Sequence, residues 1–573
     1  RLRPAAATST RTSFGPGLRT SISPSSSTSG PPGSRIRIAF ALGMAVSLPR
    51  RCAPSTRVTH ATFIRVNPNV GLFLNAWARE DEGRTAIIDA GHAERTVSYG
   101  ELDGQASRVA SALTEAGAGP GDRIAICMEN GLDFVAGWFG AIYAGCATVP
   151  IPAESTAHEI AFRLQHARCG AVLCDQARSQ VGREAVARAG GSATLLQIDA
   201  VTSEPGDRIA PLPISGNSYA MLLYTSGTTG AAKCACITHS SLRAHTQSLA
   251  NETIRLSRDD RVLGALPMTH SYGIRTTLLL PFCAGARTVF LPRFSPRRTL
   301  ELCNRHEITW LPAVPTMLIA WANDASTPAP RSLRWCLSAG AALEEDVRLR
   351  AEARLGAPVR QAYGLTEANL TAVNAPPDQA VPGSSGLPVP GVALRIATED
   401  GTEVGAGDHG EVLVRGPNVM AGYLDDPTAS AHVMRDGWLH TGDIGFLDEA
   451  GRLTIVDRSK DLILRGGASV YPSEVEGVLR EHPAVRDAAV VGTPHDYYGE
   501  EVVAVVVRAA ELGVGELSDW VATRLSHYKC PSRYAFVESL PKGGTGKTLK
   551  RLLRDRIVSG QLRAQALADG TTD

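Results

Sequence analysis

Apolar residues along this chain follow two alternating patterns, which predict strands and helices in turn. Short apolar runs, typical of buried strands, lie at 123–128, 171–174, 219–223, 262–266, 288–291, 308–314 and 333–338. Stretches with helical periodicity lie between several of these runs, for example at 157–166 and 295–306. Alternating strands and helices favour a mainly parallel sheet that is covered on both faces. The predicted fold class is therefore α/β.

The first clear helix start lies shortly after the beginning of the folded body, which we expect near Asn67. Ser98 and Glu101 have the S-x-x-E spacing of a capping box, in which each side chain bonds the backbone N–H of the other residue. These two residues therefore predict a helix that begins directly after Ser98. Its apolar face consists of Leu102, Ala106, Val109, Ala110 and Leu113.

The pattern changes in the last third of the chain. Residues 384–457 contain short strands separated by Gly and Asp turns, which indicates a β-rich subdomain. A compact module of helices and strands occupies 464–557. We therefore predict a large domain over 67–457, a connecting segment at 458–463, a small α+β domain over 464–557 and a frayed tail at 558–573.

Residues 1–58 are rich in Arg, Ser and Pro, which is the composition of a disordered or non-native leader. Translated upstream sequence, with the true start at Met44 or later, is the preferred explanation. An organelle transit peptide is the alternative. No apolar run in the sequence is long enough to predict a membrane span.

The net charge of +1 conceals an uneven distribution. Eleven of the 58 Lys and Arg residues precede Glu80, the first acidic residue, which leaves 47 basic residues against 57 acidic ones in the remainder. A body with a net negative charge argues against nucleic acid as a partner. The eleven cysteines are scattered and contain no CxxC pair, which argues against a zinc site and indicates a reduced, cytoplasmic protein.

A loop of small residues follows the apolar run at 219–223. It consists of Thr225, Ser226, Gly227, Thr228, Thr229, Gly230, Ala231, Ala232 and Lys233. Glycines permit close approach of the backbone to a ligand, and a loop of this kind can direct its N–H groups toward an anion. Lys233 adds a point charge that suits phosphate. The pattern therefore favours a phosphate-binding loop over the alternative, a flexible connector.

This stretch resembles the phosphate loop of the adenylate-forming enzymes, the family of acyl-CoA synthetases, firefly luciferase and peptide-synthetase adenylation domains. The family's loop usually reads TSGTTGxPKG, and this chain departs from it at Ala232 and Cys234. Further motifs follow in the family's order: SAGAAL at 338–343, QAYGLTEA at 361–368, LHTGDIG at 439–445 and PKGGTGKTLKR at 541–551. The resemblance covers about residues 67–557. It implies a large N-terminal domain of mainly parallel sheets and a small, mobile C-terminal domain.

The resemblance implies a nucleoside site built from three of these motifs. The adenine is expected against the turn at Gly340 and Ala341, where small residues permit close approach of a flat base. Tyr363 is expected to stack on the same base. Asp443 and Arg458 match the positions that hold the ribose, for whose hydroxyls a carboxylate is a natural acceptor.

The resemblance also implies where phosphate and metal bind. In the motif that contains Gly364, Thr366 is expected to donate to a phosphate oxygen and Glu367 to bind Mg²⁺ as a hard oxygen ligand. Lys233 and Lys547 are expected to supply positive charge, and Lys547 matches the mobile lysine that contacts the substrate carboxylate and the α-phosphate. Catalysis would therefore depend on Lys233, Thr366, Glu367 and Lys547.

The remaining implied positions concern the acyl group, the hinge and the thiol. His270, in the motif MTHSYG at 268–273, matches the acyl-pocket histidine, with a packed histidine as the alternative. The absence of an Asp from this motif favours a plain carboxylic acid as substrate. Lys460 matches the interdomain hinge. Gly466 and Gly467 resemble the loop that meets the CoA thiol, although a simple turn would explain them equally well. A Walker motif at 541–548 is nearly excluded, because Pro541 stands where that motif requires glycine.

Together these motifs imply an acid–thiol ligase that uses ATP, Mg²⁺ and CoA. It would activate a fatty or aromatic carboxylic acid as an acyl-adenylate with release of pyrophosphate, and would then transfer the acyl group to CoA. Two alternatives stay open. One is an enzyme that loads a carrier-protein thiol, and the other is an AMP-binding relative impaired by the changes at Ala232 and Cys234.

Overall fold

The computed structural model describes residues 67–566, apart from 92, 205, 226–232, 378–379, 459–460, 466–467, 496 and 543–546. Its strands in chain order are β1 Thr85–Asp89, β2 Arg95–Ser98, β3 Arg123–Cys127, β4 Ala147–Ile151, β5 Ala171–Cys174, β6 Thr194–Gln197, β7 Tyr219–Thr225, β8 Lys233–Thr238, β9 Arg261–Gly264, β10 Arg287–Phe290, β11 Trp310–Ala313, β12 Trp335–Ser338, β13 Val359–Leu365, β14 Asn369–Val373, β15 Ser384–Pro388, β16 Ala393–Ala397, β17 Gly410–Arg415, β18 Gly422–Tyr423, β19 Met434–Arg435, β20 Trp438–Leu447, β21 Leu453–Arg458, β22 Ile463–Arg465, β23 Ala468–Val470, β24 Val485–His495, β25 Gly499–Arg508, β26 Arg533–Val537 and β27 Gln565–Ala566.

The α-helices of the described residues are α1 Leu72–Glu80, α2 Tyr99–Glu115, α3 Leu132–Tyr143, α4 Ala157–His166, α5 Ser179–Arg188, α6 Ile198–Ser203, α7 His239–Ser248, α8 Ser271–Ile274, α9 Leu280–Ala284, α10 Pro296–Arg305, α11 Pro315–Ala322, α12 Glu345–Leu355, α13 Pro427–Val433, α14 Pro472–Arg480, α15 Val514–Ala522 and α16 Lys550–Val558. Short 3₁₀ turns occur at Gln176–Arg178 and His527–Lys529. Two π-helical turns occur at Leu249–Thr253, directly after α7, and at Arg275–Leu279, which joins α8 to α9.

Three sheets organise these elements. One runs β18-β8-β7-β4-β3-β5-β6, and its strands β3 to β7 pair in parallel. A larger sheet runs β16-β17-β20-β21-β15-β14-β13-β12-β11-β9-β10-β1-β2, with β19 attached to β20. The third sheet contains β22 to β27. The predicted α/β class, with its parallel sheets and smaller C-terminal domain, is confirmed.

Several predicted elements form because the local sequence supplies hydrogen-bond partners for backbone groups or apolar side chains for burial. Helix α2 begins after Ser98, whose hydroxyl accepts from the Glu101 N–H at 3.1 Å while the Glu101 carboxylate accepts from the Ser98 N–H at 2.8 Å. Strand β4 is buried along its whole length, as expected for a strand covered on both faces. Strands β15 to β21 form the predicted β-rich region, interrupted only by α13 within its described residues.

The C-terminal part differs from prediction at its end. Arg458 ends strand β21 and Ile463 begins β22, so the predicted connection at 458–463 is short and is bounded by strands. Gln565 and Ala566 form β27, which pairs with Arg533 and Tyr534 of β26, so the predicted tail contributes a strand. Pairing with an existing sheet edge satisfies backbone groups that composition alone suggested would stay unordered.

Within the described part of the chain, no helix combines the length and the apolar character needed to cross a bilayer.

Candidate active site

Strands β7 and β8 hold the two ends of the predicted phosphate loop. They pair antiparallel with Thr225 opposite Lys233, and the Thr225 hydroxyl donates to the Lys233 carbonyl at 3.4 Å. A strand that follows the loop, instead of a helix, distinguishes this arrangement from a Walker loop. The intervening Ser226, Gly227, Thr228, Thr229 and Gly230 lie outside the described residues, so their part in phosphate binding stays a prediction.

Cys234, one of the two residues that differ from the family's usual phosphate loop, lies in the hydrophobic core. Cys234 is 1% exposed and packs in a hydrophobic cluster with Ile160 and Ala161 of α4. Burial raises the pKa of its thiol, so the group stays protonated and inert. Because side chains alternate along a strand, Lys233 lies on the opposite face of β8 from Cys234. The unusual cysteine therefore does not share the side of the strand that carries the lysine. Ala232 lies outside the described residues.

Lys233, Tyr423 and Glu367 form a cluster beside the loop. The Lys233 ammonium lies 5.0 Å from the centroid of the Tyr423 ring, and the Tyr423 hydroxyl donates to Glu367 Oε1 at 2.8 Å. Strand β18 brings Tyr423 there by pairing it with Ala235 of β8. Burial and the Glu367 carboxylate raise the pKa of Tyr423, so its hydroxyl keeps the proton that it donates.

Sequence reasoning missed Tyr423. It belongs to a strand of two residues, Gly422–Tyr423, which carries no periodicity that a pattern could detect. Only the pairing of β18 with β8 shows that its ring meets the loop lysine.

The Glu367 carboxylate fits the predicted magnesium ligand. Its Oε1 accepts from Tyr423, and no described residue donates to its Oε2. Mg²⁺ in nucleotide sites is typically held by one or two carboxylates together with substrate phosphates. The described part of the chain contains no group of three or more His, Cys, Asp or Glu that could hold a metal by itself. Thr366 lies with Glu367 in the turn between β13 and β14.

Tyr363, Asp443 and Arg458 form a second cluster. The Tyr363 hydroxyl donates to Asp443 Oδ2 at 2.6 Å, and Arg458 Nε lies 3.0 Å from Asp443 Oδ1. Strands β20 and β21 place Asp443 directly opposite Arg458. The Asp443 carboxylate raises the pKa of Arg458, while burial and the same carboxylate raise the pKa of Tyr363. Each carboxylate oxygen keeps a second acceptor position, which suits ribose hydroxyls.

Two positions of the predicted nucleotide site require glycine, Gly364 for lack of space and Gly340 for its backbone conformation. A Cβ on Gly364 would lie 2.1 Å from the Asn369 carbonyl oxygen, so only glycine fits the narrow β13–β14 hairpin. Gly340 has a φ of +90°, which permits the turn after β12 that Ala341 continues. The turn therefore has the open, small-residue form expected beside a base, and contact with adenine itself stays a prediction.

His270 of the large domain and Lys547 of the C-terminal domain lie close enough to interact electrostatically. His270 is half-buried at the start of α8. Burial, and after it the charge of Lys547, lowers the pKa of His270. A neutral histidine and a lysine thus lie near each other where the acyl carboxylate is expected. Lys460, Gly466 and Gly467 lie outside the described residues, and their roles stay predictions.

The small C-terminal domain contacts the large domain close to these clusters. Arg480 of α14 lies 2.6 Å from the carboxylate of Glu344, which follows the turn at Gly340 and Ala341. The Ser473 N–H donates to Asp457 Oδ2 at 2.9 Å. Contacts between the two domains thus lie near the turn at Gly340 and Ala341 and at strand β21.

Comparison with known proteins agrees with this arrangement. Residues 74–424 match the AMP-binding enzyme family, and residues 474–547 match the AMP-binding enzyme C-terminal domain. The long-chain-fatty-acid–CoA ligase of Bacillus subtilis (strain 168) is 31% identical over 517 residues, which cover 82% of this chain and 91% of that protein. The feruloyl-CoA synthase of Amycolatopsis sp is 34% identical over 507 residues, which cover 84% of this chain and 99% of that protein.

Among solved structures, o-succinylbenzoate coenzyme A synthetase (MenE) from Bacillus subtilis, in complex with ATP and magnesium ion, superimposes with a TM-score of 0.76. It is 31% identical, and the match covers 84% of this chain and 99% of that structure. The chain therefore belongs to the AMP-binding, adenylate-forming enzyme family and is an acid–thiol ligase of the AMP-forming acyl-CoA synthetase type.

Proposed function

We propose that this protein converts a fatty or aromatic carboxylic acid to its CoA thioester at the site formed by the two clusters. The observation that carries the proposal is their adjacency. Tyr363 binds Asp443, and Glu367, four residues further along the same hairpin, binds Tyr423 beside Lys233. A ribose-binding carboxylate and a phosphate-binding lysine are thus one hairpin apart, as an adenylate requires.

In the first step, an oxygen of the acid attacks the α-phosphate of ATP, and the bond to pyrophosphate breaks. Negative charge develops on the phosphate oxygens, so the enzyme acts by positioning and by electrostatic stabilisation. Lys233 and Lys547 supply positive charge, Thr366 donates to a phosphate oxygen, and Asp443 with Arg458 holds the ribose. Mg²⁺, when bound through Glu367, would neutralise part of the charge on the phosphates.

In the second step, the CoA thiol attacks the acyl carbon, loses its proton and releases AMP. Lys547 has no part in this attack, and we infer that the C-terminal domain rotates about the hinge at Lys460 between the steps. Such gating separates two reactions that need different groups at one carbon. Gly466 and Gly467 would then approach the thiol. Burial, and after it the charge of Lys547, lowers the pKa of His270, and a neutral ring does not compete with Lys547 for the substrate carboxylate.

The cellular setting belongs to the same proposal. The cysteines within the described residues are all unpaired, which fits a reducing compartment such as the cytoplasm.

The test is pyrophosphate release with ATP and Mg²⁺ across a panel of aliphatic and aromatic acids, with and without CoA, and with thioesters identified by mass. We expect release that depends on the acid and yields a CoA thioester. AMP binding without pyrophosphate release for any acid would instead indicate a chain impaired in its loop.

A carrier-protein thiol is the second candidate acceptor. It is favoured by one relative, the fatty acid–[acyl-carrier-protein] ligase ScoC of Streptomyces coeruleorubidus, which is 34% identical over 488 residues that cover 82% of this chain and 92% of that protein. Pyrophosphate release without a CoA thioester, followed by acylation of an added carrier protein, would favour this candidate over CoA.

A further inference from the structure

A short β-bridge in the C-terminal domain lies next to Lys547 in the chain. Lys542 pairs antiparallel with Thr548 in this bridge, and the Leu549 N–H donates to the Pro541 carbonyl at 2.9 Å. Because Thr548 directly follows Lys547, the backbone position of Lys547 depends on how the bridge is held against the rest of its domain.

Two lysines anchor the bridge, one from each of its sides. The Lys542 ammonium lies 3.2 Å from Asp487 Oδ2 on β24. The ammonium of Lys550, the first residue of α16, lies 2.9 Å from Glu476 Oε1 on α14. Glu476 is buried, and a buried carboxylate requires such partners. The placement of the bridge therefore depends on two anchor carboxylates, Asp487 and Glu476.

Arg480 contacts both anchor carboxylates. Its Nη2 lies 3.2 Å from Glu476 Oε2, and its Nε lies 3.8 Å from Asp487 Oδ1. Nη2 also donates to the Ala488 carbonyl at 3.4 Å. A guanidinium presents its donors from a rigid plane, so one arginine holds several acceptors in fixed relative positions. Arg480 therefore ties the two anchors of the bridge to each other.

The remaining nitrogen of Arg480 contacts the large domain. Nη1 lies 2.6 Å from Glu344 Oε1. Glu344 directly precedes α12 and closely follows the turn at Gly340 and Ala341, where adenine is expected. The Arg480 side chain is 30% exposed and that of Glu344 is 52% exposed, so solvent screens the pair and its separation costs little. Such a pair suits a contact that forms in one domain arrangement and breaks in another.

We propose that Arg480 is a positioning residue for adenylate formation, which couples the contact with Glu344 beside the nucleotide turn to the placement of Lys547. This inference rests on the proposed function and deepens it. In the domain arrangement of this structure, Arg480 joins Glu344 to the anchor carboxylates while Lys547 lies near His270. Rotation of the C-terminal domain before the thioester step separates Arg480 from Glu344. Arg480 therefore supports the first step and has no part in the second.

The test measures the two half-reactions separately, with the acid that gives the fastest pyrophosphate release in the panel. Adenylation is followed by ATP–pyrophosphate exchange, and thioester formation is followed by mass from the supplied acyl-adenylate of the same acid. Arg480→Met should lower kcat for adenylation about tenfold and leave thioester formation within about twofold of wild type, because only the first step uses its ion pairs. Glu344→Gln weakens only the interdomain pair and should lower adenylation about threefold.

Arg533→Met is the matched control. Arg533 also belongs to the C-terminal domain, its side chain is 31% exposed, and its Nη1 lies 2.9 Å from Glu501 Oε1 within that domain. We expect both half-reactions of this variant to stay within about twofold of wild type, as for an ordinary surface pair.

Two further variants test the coupling itself. Arg480→Lys keeps the charge, but a single ammonium does not span three carboxylates. Its adenylation should therefore stay about fivefold below wild type. The double variant of Arg480→Met and Glu344→Gln should be no slower than Arg480→Met, because both changes remove the same interdomain pair.

Several results would overturn the inference. Equal loss of both half-reactions in Arg480→Met would assign Arg480 a structural role, and an adenylation rate equal to that of Arg533→Met would assign it none. Additive losses in the double variant would mean that Arg480 and Glu344 act independently. If Arg480→Met fails to fold, unchanged adenylation in Glu344→Gln refutes the coupling. Silence of the wild type across the panel would refute the proposed function and this inference with it, whereas thioester formation that is insensitive to Arg480 refutes only the inference.

Discussion

The hydroxyl of Tyr423 offers a direct test of how Glu367 is held. It donates to Glu367 Oε1 at 2.8 Å, while the ring lies under the Lys233 ammonium. Tyr423→Phe removes the hydrogen bond and keeps the ring. Tyr423→Leu removes both. The pair of variants therefore separates the positioning of the carboxylate from the support of the lysine.

The structure sets the size of the effect. A hydrogen bond to a charged acceptor contributes about 1.5–3 kcal/mol, and half-burial of Tyr423 favours the lower end of this range. We expect kcat/KM for ATP to fall about tenfold in Tyr423→Phe, since 1.4 kcal/mol corresponds to a factor of ten. An exposed cation–π contact contributes about 0.5–1 kcal/mol, so Tyr423→Leu should lose a further two- to fivefold.

The assay is pyrophosphate release under Mg²⁺ titration at fixed ATP. If Glu367 binds the metal, Tyr423→Phe should require more Mg²⁺ for half-maximal rate. Tyr224→Phe is the matched control, because Tyr224 is also half-buried, bonds His166 at 2.9 Å and lies 5.5 Å from the Arg163 guanidinium. We expect its kinetics to stay within twofold of wild type.

The reasoning fails if Tyr423→Phe leaves both kcat/KM and the Mg²⁺ dependence unchanged. It also fails if Tyr224→Phe loses as much, because the effect would then reflect general loosening of the sheet.

Three further predictions concern the remaining site residues. Lys547→Ala should lose most adenylate formation and retain much of the thioester step from supplied acyl-adenylate; equal loss of both half-reactions would contradict its role. Ala232→Pro with Cys234→Gly should preserve or raise the adenylation rate and lower Tm, because removal of the buried Cys234 side chain leaves a cavity. A severe loss of rate would mean that the loop is specialised. Tyr363→Phe should weaken AMP binding about tenfold by calorimetry, because Asp443 loses a charge-assisted donor worth about 1.5 kcal/mol; unchanged affinity would remove Asp443 from the nucleotide site.

Features with local causes were predictable from the sequence. The capping box of Ser98 and Glu101 joins residues three apart, and helix α4 has the predicted bounds because its apolar period and its cap lie within ten residues. The wrong part was the tail, where β27 forms through a strand partner more than thirty residues away. Composition describes how a segment behaves by itself, and a sheet edge changes that outcome.

The candidate site shows the same difference between local features and contacts between distant segments. By itself, the sequence determined the order of the motifs and the residue types that phosphate, ribose and acyl chemistry require, since these stand in short continuous stretches. Only the tertiary structure decided that Tyr423 meets Lys233 and Glu367, that Lys547 lies near His270, and that Arg275 is buried against His245. These contacts depend on strand pairing, helix packing and domain contacts between distant parts of the chain. Local periodicity reports which face of an element is buried, but not which residue of another element lies against it.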